Sequence, residues 1–386
     1  MPSLDPALGG PQASVRSWCR YGRAYSLDFE VLTLDPPDSP WLNDLAAPVH
    51  AIGAGFTYYR FNRALVRWLR VRARQYDAVI VSGLWRFSSL GTWLALRRTE
   101  VPYFVFPHGM LDPWFRHAHP LKHMKKLCLW HAGERFVLRD ARAVLFTAEE
   151  ERLLARRSFW PYRATELVTG FGVEPPPDVD CAAVATLYER HPELRNKRTL
   201  VSLGRIDKKK GLDLVIAAAA KCPDDIHFLF VGPDSPYQRE LAQMMWQLGV
   251  TRRITWAGPL YGPWKWAALR LAEAFILPSH SENFGVAIVE AMACGLPVLI
   301  SDKVNIWREI AQECAGIVFP DNADGVMRGL GEWIGLDQKA RARMSLHAER
   351  CFRSHFSMSR FLANLAQLLR GLTFGTSVST VSNGTA

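Results

Sequence analysis

Residues that pair through metals or disulfides are sparse. The 7 cysteines stand at 19, 128, 181, 222, 294, 314 and 351, with no Cys-x-x-Cys and no His pair at ligand spacing. This excludes a disulfide framework and a zinc site of ordinary spacing, and points to reduced thiols in a cytoplasmic setting. No apolar run approaches the roughly 18–20 residues that span a bilayer, and the N-terminus lacks the charged-then-apolar pattern of a secretory leader. A soluble or peripheral protein is expected. With 49% hydrophobic, 11% aromatic and 22% charged residues, disorder is excluded as well. The 386 residues exceed the ~250–300 at which a single core stops growing, so two domains with a cleft between them are expected.

The basic charge is unevenly placed. Residues 1–165 hold 23 Lys and Arg against 14 Asp and Glu, which accounts for +9 of the net +10. The densest run is Arg60, Arg63, Arg67, Arg70, Arg72 and Arg74, interleaved with Phe61, Leu65, Val66, Trp68, Leu69 and Val71. A second cluster follows at Arg116, Lys122, Lys125 and Lys126. Basic helices carrying large apolar residues suit an anionic membrane surface, although arginine stems also cover apolar surface on ordinary solvated helices.

Short apolar runs alternate with helical stretches, as parallel sheets require. Strands are expected at Phe29–Leu34, Ala78–Ser82, Tyr103–Phe106, Ala143–Thr147, Thr199–Leu203, Ile226–Val231, Ile254–Ala257, Ala274–Leu277, Val298–Ser301 and Gly316–Phe319. Residues 169–180, with two glycines and three consecutive prolines, read as a linker. They divide an N-terminal domain over 1–168 from a C-terminal domain over 181–350. A helix over 351–372 is expected to pack back on the first domain, and the Ser/Thr-rich residues 373–386 read as a disordered tail with an Asn383-Gly-Thr sequon by pattern only.

Two motifs carry chemistry. In Pro278-Ser-His-Ser-Glu-Asn-Phe-Gly-Val-Ala-Ile-Val-Glu290 a strand ends in a polar loop and Gly285 opens a helix. Free N–H groups of Phe284, Gly285 and Val286 with the helix dipole behind them make an anion site, which suits phosphate. Glu282 and Glu290 flank it, where sugar or ribose hydroxyls could be gripped. A capped helix with an incidental glutamate accounts for either one alone. In Val201-Ser-Leu-Gly-Arg-Ile-Asp-Lys-Lys-Lys-Gly-Leu-Asp213, Arg205 and Lys210 flank a turn and form a sensible clamp for a diphosphate. Lys208 and Lys209 read as a solvated charge run.

At this order and separation the two motifs resemble the C-terminal domain of family 4 (group 1) retaining glycosyltransferases of the GT-B fold. Phe230-Val-Gly-Pro-Asp234, Trp256-Ala-Gly-Pro-Leu260, Pro107-His-Gly-Met-Leu-Asp-Pro113 and Gly9-Gly-Pro-Gln-Ala-Ser14 extend the likeness over nearly the whole chain. The resemblance implies an α/β fold of two Rossmann-like doubly wound parallel-sheet domains facing a central cleft. It also implies a metal-independent transferase without a cofactor, taking a nucleotide diphosphate sugar as donor. Glu290 would hold the donor ribose and Glu282 would lie at the donor sugar. Arg205 and Lys210 would bind the diphosphate, and the backbone of Asn283 to Val286 would approach sugar and phosphate. His108 would support developing charge at the sugar, Gly10 would approach the diphosphate, and the base would lie near Leu260. UDP and GDP donors both stay open. The acceptor would be a glycan or a polyprenyl-diphosphate-linked saccharide in cell-surface polysaccharide assembly, reached from the inner face of the cytoplasmic membrane.

The pattern departs from the family in two places. Only Met1 to Leu8 precede the Gly-Gly loop, so the first apolar strand is missing, and the natural start lies upstream or the chain is truncated. In Ser82-Gly-Leu-Trp85, serine stands where relatives often carry histidine. The alternative reading is therefore a GT-B scaffold that binds nucleotide or glycan but is catalytically impaired. A dehydrogenase rests only on Gly53-Ala-Gly55, which lacks a third glycine. Nucleic-acid binding rests only on the basic pI, leaves the paired glutamates unexplained, and is not expected. The single Asp-x-Asp, Asp178-Val-Asp180, reads as linker and not as a metal site.

Overall fold

The apolar runs pair edge to edge as parallel strands. The computed structural model describes residues 1–118, 120–178 and 181–373, so the sequon, most of the expected tail and two residues of Asp178-Val-Asp180 lie outside the described residues. The chain divides into two units. One comprises Met1–Gly172 together with the chain from Met358, and the other comprises Val173–Ser357.

In the first unit, β1 (Val31–Thr33) pairs with β2 (Val49–Ala51), and β3 (Val79–Ser82), β4 (Tyr103–Phe106), β5 (Ala143–Phe146) and β6 (Glu166–Val168) form a separate four-stranded sheet in that order. β4 and β5 are buried along their whole length, as strands covered on both faces must be. In the second unit β7 (Arg198–Leu203), β8 (Ile226–Val231), β9 (Ile254–Gly258), β10 (Ala274–Leu277), β11 (Val298–Ser301) and β12 (Gly316–Phe319) form one parallel sheet in the order β12-β11-β10-β7-β8-β9. Its core joins Phe228, Phe230, Ile276 and Leu299 to the helix Leu212–Ala219 and to Trp333.

All ten expected strands are present. β1 is shorter than expected, three residues in place of Phe29–Leu34. β2 and β6 were not expected: each has three residues, each is only partly buried or exposed, and neither carries an apolar run. Val173 pairs with Ser357, its N–H donating to Phe356 O at 2.8 Å, which brings the two ends of the second unit side by side. Residues 173–178, read as linker, thus belong to that unit. No helix among the described residues is long and apolar enough to cross a membrane.

The helix Met358–Thr373 belongs to the first unit because of its apolar stripe. Met358, Phe361, Leu362, Leu365 and Ala366 recur at helical spacing and are buried. The Phe361 ring lies 5.1 Å from Trp18 and 6.1 Å from Phe171. Emptying a site of this kind costs about 3–5 kcal/mol, whereas an exposed position on the same helix costs within ~0.5 kcal/mol. Calorimetric unfolding of Phe361→Ala is expected to show a transition lowered by several degrees, with Gln367→Ala unchanged. Equal effects of the two would contradict this packing.

Candidate functional site

The second unit has a topological switch point at its centre. The chain adds strands outward from β7 through β8 and β9, then returns to β10 on the other side of β7 and continues outward through β11 and β12. Loops after β7 and β10 therefore open side by side at the carboxyl ends, where open α/β sheets bind ligands. The two loops are locked together. His280 N–H donates to Lys209 O at 2.8 Å. Gly211, at φ +66°, presses so closely on Pro278 that an added Cβ would lie 2.2 Å from its carbonyl oxygen.

Charged groups gather on this scaffold. Lys210 Nζ forms an ion pair with Glu282 Oε2, linking the loop after β7 to the loop after β10. Glu282 is fixed by its backbone: its N–H donates to Lys303 O and its carbonyl accepts from Asn305 N–H, each at 2.9 Å. The Asn305 side chain donates to Asn283 Oδ1 at 3.2 Å. Gly285, at φ +70°, caps the helix Val286–Ala293, and the first N–H groups of that helix have no intrahelical partner. An added Cβ at Gly285 would meet Ile288 Cδ1 at 2.6 Å. Glu290, on the same helix, pairs with Lys265 Nζ at 2.7 Å. Arg205 is exposed and forms no hydrogen bond or ion pair among the described residues.

The structure thus brings Arg205, Lys210, Glu282, Asn283, Gly285, Val286 and Glu290 to the ends of adjacent strands. Phe284 is different, because the residue is 5% exposed and its ring packs edge-on to Phe356 at 5.7 Å. Leu260 lies in the loop between β9 and the helix Pro263–Leu271, three residues before that helix begins. Lys265 was missed by sequence reasoning. It is 25 residues from Glu290, and nothing local marks it as a partner.

The first unit holds the other two candidates. Gly10 is the first residue of the helix Gly10–Tyr21, capped by Gly9 at φ +112°. His108 follows β4 in a turn closed by Met110 N–H donating to Pro107 O at 3.0 Å, and takes φ +49°. Its Nε2 lies 2.9 Å from Ser82 Oγ at the end of β3, so the serine that departs from the family pattern is a partner of the histidine. Glu151 braces the turn from below. Its carboxylate accepts from Gly109 N–H at 2.6 Å and from Thr147 N–H at 2.7 Å, and burial pushes its pKa up. Glu134 does the same for the neighbouring turn, accepting from Trp85 N–H at 3.2 Å, with burial raising its pKa to about 7. The His108 ring stacks on Phe106 at 5.5 Å, and enclosure by protein lowers its pKa to about 4. At neutral pH it is an uncharged hydrogen-bonding group.

The model for glycosyl transferases group 1 matches residues 186–350, and that for the glycosyl transferase 4-like domain matches residues 9–169. Among curated proteins the chain is 27% identical over 243 residues to the alpha-D-kanosaminyltransferase of Streptomyces kanamyceticus, covering 62% of each chain. It is 28% identical over 340 residues to the D-inositol 3-phosphate glycosyltransferase of Salinispora tropica, covering 79% of this chain and 66% of that one. It therefore spans a little under two thirds of the length of both. The structure of Anabaena Alr3699/HepE in complex with UDP and glucose superposes with a TM-score of 0.73 at 18% identity, over 96% of this chain and 98% of that one. The chain belongs to the group 1 glycosyltransferases and has the GT-B fold.

The depressed pKa of His108 has a measurable consequence. In the unfolded chain the imidazole takes up its proton near 6.5, and in the folded chain only near 4. Between these values the unfolded state binds more protons, so this contribution is complete above pH 6.5 and is lost as pH falls toward 4, by up to about 3 kcal/mol. Thermal unfolding from pH 7.5 to 4 is expected to show a shallower acid loss in His108→Gln than in the parent. Parallel pH profiles would show that the imidazole is not held neutral by the fold.

Proposed function

We propose that this protein transfers a sugar, with retention of anomeric configuration, from a nucleoside diphosphate sugar to a hydroxyl of a glycan or lipid-linked saccharide in cell-surface polysaccharide assembly. The observation that carries the reading is the set of paired and unpaired charges around the helix N-terminus at the switch point of the second unit. Among the described residues, Arg205 is exposed and without a partner, Lys210 is paired with a carboxylate, and the helix Val286–Ala293 has no side-chain cap on its first N–H groups. A diphosphate satisfies all three at once. Glu290 is shielded and held by Lys265, so it can accept from ribose hydroxyls without reorganising.

In the reaction the bond from the anomeric carbon to the diphosphate oxygen breaks and a bond to the acceptor oxygen forms. The acceptor proton passes to the departing phosphate, and Arg205, Lys210 and the helix N-terminus meet the charge that develops there. The Glu282 carboxylate and the neutral His108 imidazole are each assigned to sugar hydroxyls in this proposal. No metal or organic cofactor is part of this proposal. The UDP complex of the Anabaena relative makes UDP the first donor to test, with GDP next. The division of the first unit into two sheets favours a second reading, a scaffold that binds donor without turnover.

A ligand that binds only the native state raises its melting temperature, by about 2.7 kcal/mol of stabilisation at a hundred times Kd. A thermal-shift and calorimetry panel of UDP, GDP, ADP, NAD and short duplex DNA is expected to give a response to one nucleoside diphosphate. Glu290→Ala is expected to weaken it by at least tenfold. Absence of any diphosphate response would reject the donor site, and a response without turnover of the matching nucleotide sugars would favour the scaffold reading.

The acceptor side of the proposal draws on exposed basic and apolar groups of the first unit. Arg63, Arg67, Arg70, Arg72 and Arg74 are exposed, and Phe56 and Tyr58 nearby in sequence are largely exposed. The helix Pro120–Leu129 adds exposed Leu121 and Met124 beside Lys122 and Lys125. Such surfaces bind anionic bilayers, at roughly 1 kcal/mol per basic residue. Arg60 is excluded, because its guanidinium is committed to Pro2 O. Changing the other five arginines to Gln is expected to lower partitioning onto phosphatidylglycerol vesicles at least tenfold at low salt. Unchanged partitioning would remove the membrane from the proposal.

A further inference from the structure

One loop of the first unit carries charge and an aromatic ring that the core does not use. Residues 156–165 join the helix Glu149–Ala155 to β6. Arg157 N–H donates to Leu154 O at 2.9 Å and Ser158 Oγ to Ala155 O at 2.6 Å, which fastens the loop to the end of that helix. Phe159 then enters the core, with its ring 5.0 Å from Trp85 and 5.2 Å from Trp130, and Tyr162 stacks on Trp130 at 6.4 Å. Between and after these two anchors, Trp160 and Arg163 are exposed, the tryptophan to 82%. The loop is thus pinned on both sides of an indole that adds nothing to the packing.

This loop and Arg116, from the short helix Trp114–Ala118, line a basin of about 690 Å³, within the ~300–1,000 Å³ usual for small-ligand sites. Glu166 is the one acid among its lining residues, and its carboxylate is taken up by Arg152 at 3.1 Å and by Arg156 at 2.6 Å. Arg116, Arg157 and Arg163 are exposed, and among the described residues their guanidinium groups form no ion pair or hydrogen bond. Three like charges around one concavity repel one another and concentrate anions there. Guanidinium forks match carboxylate and phosphate oxygens in pairs. Trp160 beside them offers a flat apolar face with a polar edge, which suits a sugar ring with its C–H face on the indole and its hydroxyls at the rim. The basin also adjoins the turn of His108. Trp85, against which Phe159 packs, donates from Nε1 to Met110 O of that turn at 3.1 Å, and Arg116 lies in the helix that follows it.

We propose that the basin is a subsite for an acidic sugar. Trp160 carries the face of the ring, and Arg116, Arg157 and Arg163 pair with a carboxylate or phosphate on it. A bilayer meets a protruding face, whereas a concavity of this size takes a molecule that enters it, which favours a saccharide over a membrane here. That the sugar belongs to the acceptor rests on the proposed transfer reaction. The acceptor glycan then carries an acidic residue, and this subsite holds it away from the hydroxyl that reacts.

The test is calorimetric binding, without donor nucleotide, of tetragalacturonate, mannose 6-phosphate, maltotetraose and inorganic phosphate to the full chain. At least one of the two acidic sugars is expected to bind tenfold or more tightly than both maltotetraose and inorganic phosphate, and which of them does so tells a carboxylate ligand from a phosphate one. Trp160→Ala is expected to weaken that binding at least tenfold and Trp160→Phe to keep most of it. Arg157→Gln with Arg163→Gln is expected to remove the preference over maltotetraose. All three residues are exposed, so melting temperatures within about a degree of the parent are expected. Binding of neither acidic sugar, equal binding of maltotetraose or of inorganic phosphate, or undiminished binding by Trp160→Ala overturns the proposal. So does a Trp160→Ala chain that loses partitioning onto phosphatidylglycerol vesicles while its saccharide binding is unchanged, which would make the basin part of a membrane face. A nucleoside diphosphate response that persists where no acidic sugar binds rejects the subsite and leaves the transfer reaction standing.

Discussion

Because β7 and β10 are hydrogen-bonded neighbours from which the chain departs in opposite directions, the loops that follow them open at one place in the second unit. Everything proposed for the donor depends on that adjacency. Arg205 and Lys210 come from one loop, Glu282 and Asn283 from the other, and the helix Val286–Ala293 grows directly from the second. The close approach of Gly211 to Pro278 leaves no room for a side chain between the loops. The backbone of the proposed donor site is thus already in place, which is one condition for electrostatic stabilisation of a leaving group.

The charges at the site are held in reserve. Lys210 and Lys265 each answer a glutamate, so neither is an uncompensated charge before a donor binds. In the proposed reaction a diphosphate would compete with Glu282 for Lys210 and release that carboxylate toward sugar hydroxyls, whereas the Glu290–Lys265 pair could persist beside a ribose. In the first unit burial works in the other direction, keeping His108 uncharged and braced by Ser82, with Glu151 fixing the turn that carries it. The second unit thus gathers positive charge at its switch point, whereas the first keeps its histidine neutral.

Much of this was legible in the sequence, for physical reasons. Strands buried on both faces, such as Tyr103–Phe106 and Ala274–Leu277, are unbroken apolar runs and announce themselves. Val49–Ala51 and Glu166–Val168 do not, since each is short and only partly covered, and their pairing is set by neighbours distant in sequence. The two glutamates were legible because their spacing on one loop-helix segment is local. Their lysines were less so: Lys210 was read as a phosphate ligand and not as the partner of Glu282, and Lys265 carries no local mark. Phe284 was read with its backbone neighbours, yet its side chain belongs to the core. Arg60 was counted with the surface arginines, but the fold uses it to hold the chain at Pro2. Such pairings are decided by topology, which a linear pattern does not contain.

The central claim is that Lys210 changes partner from Glu282 to the donor diphosphate. It is tested most directly by calorimetric binding of a nucleoside and of its 5′-diphosphate, with the base that the protein recognises, to the parent and to Lys210→Met. A charge-assisted hydrogen bond is worth about 1.5–3 kcal/mol, or roughly 10- to 150-fold in affinity. The account predicts that the affinity gained on adding the diphosphate falls by that factor in the variant, while nucleoside binding stays the same. An undiminished gain in Lys210→Met would contradict it.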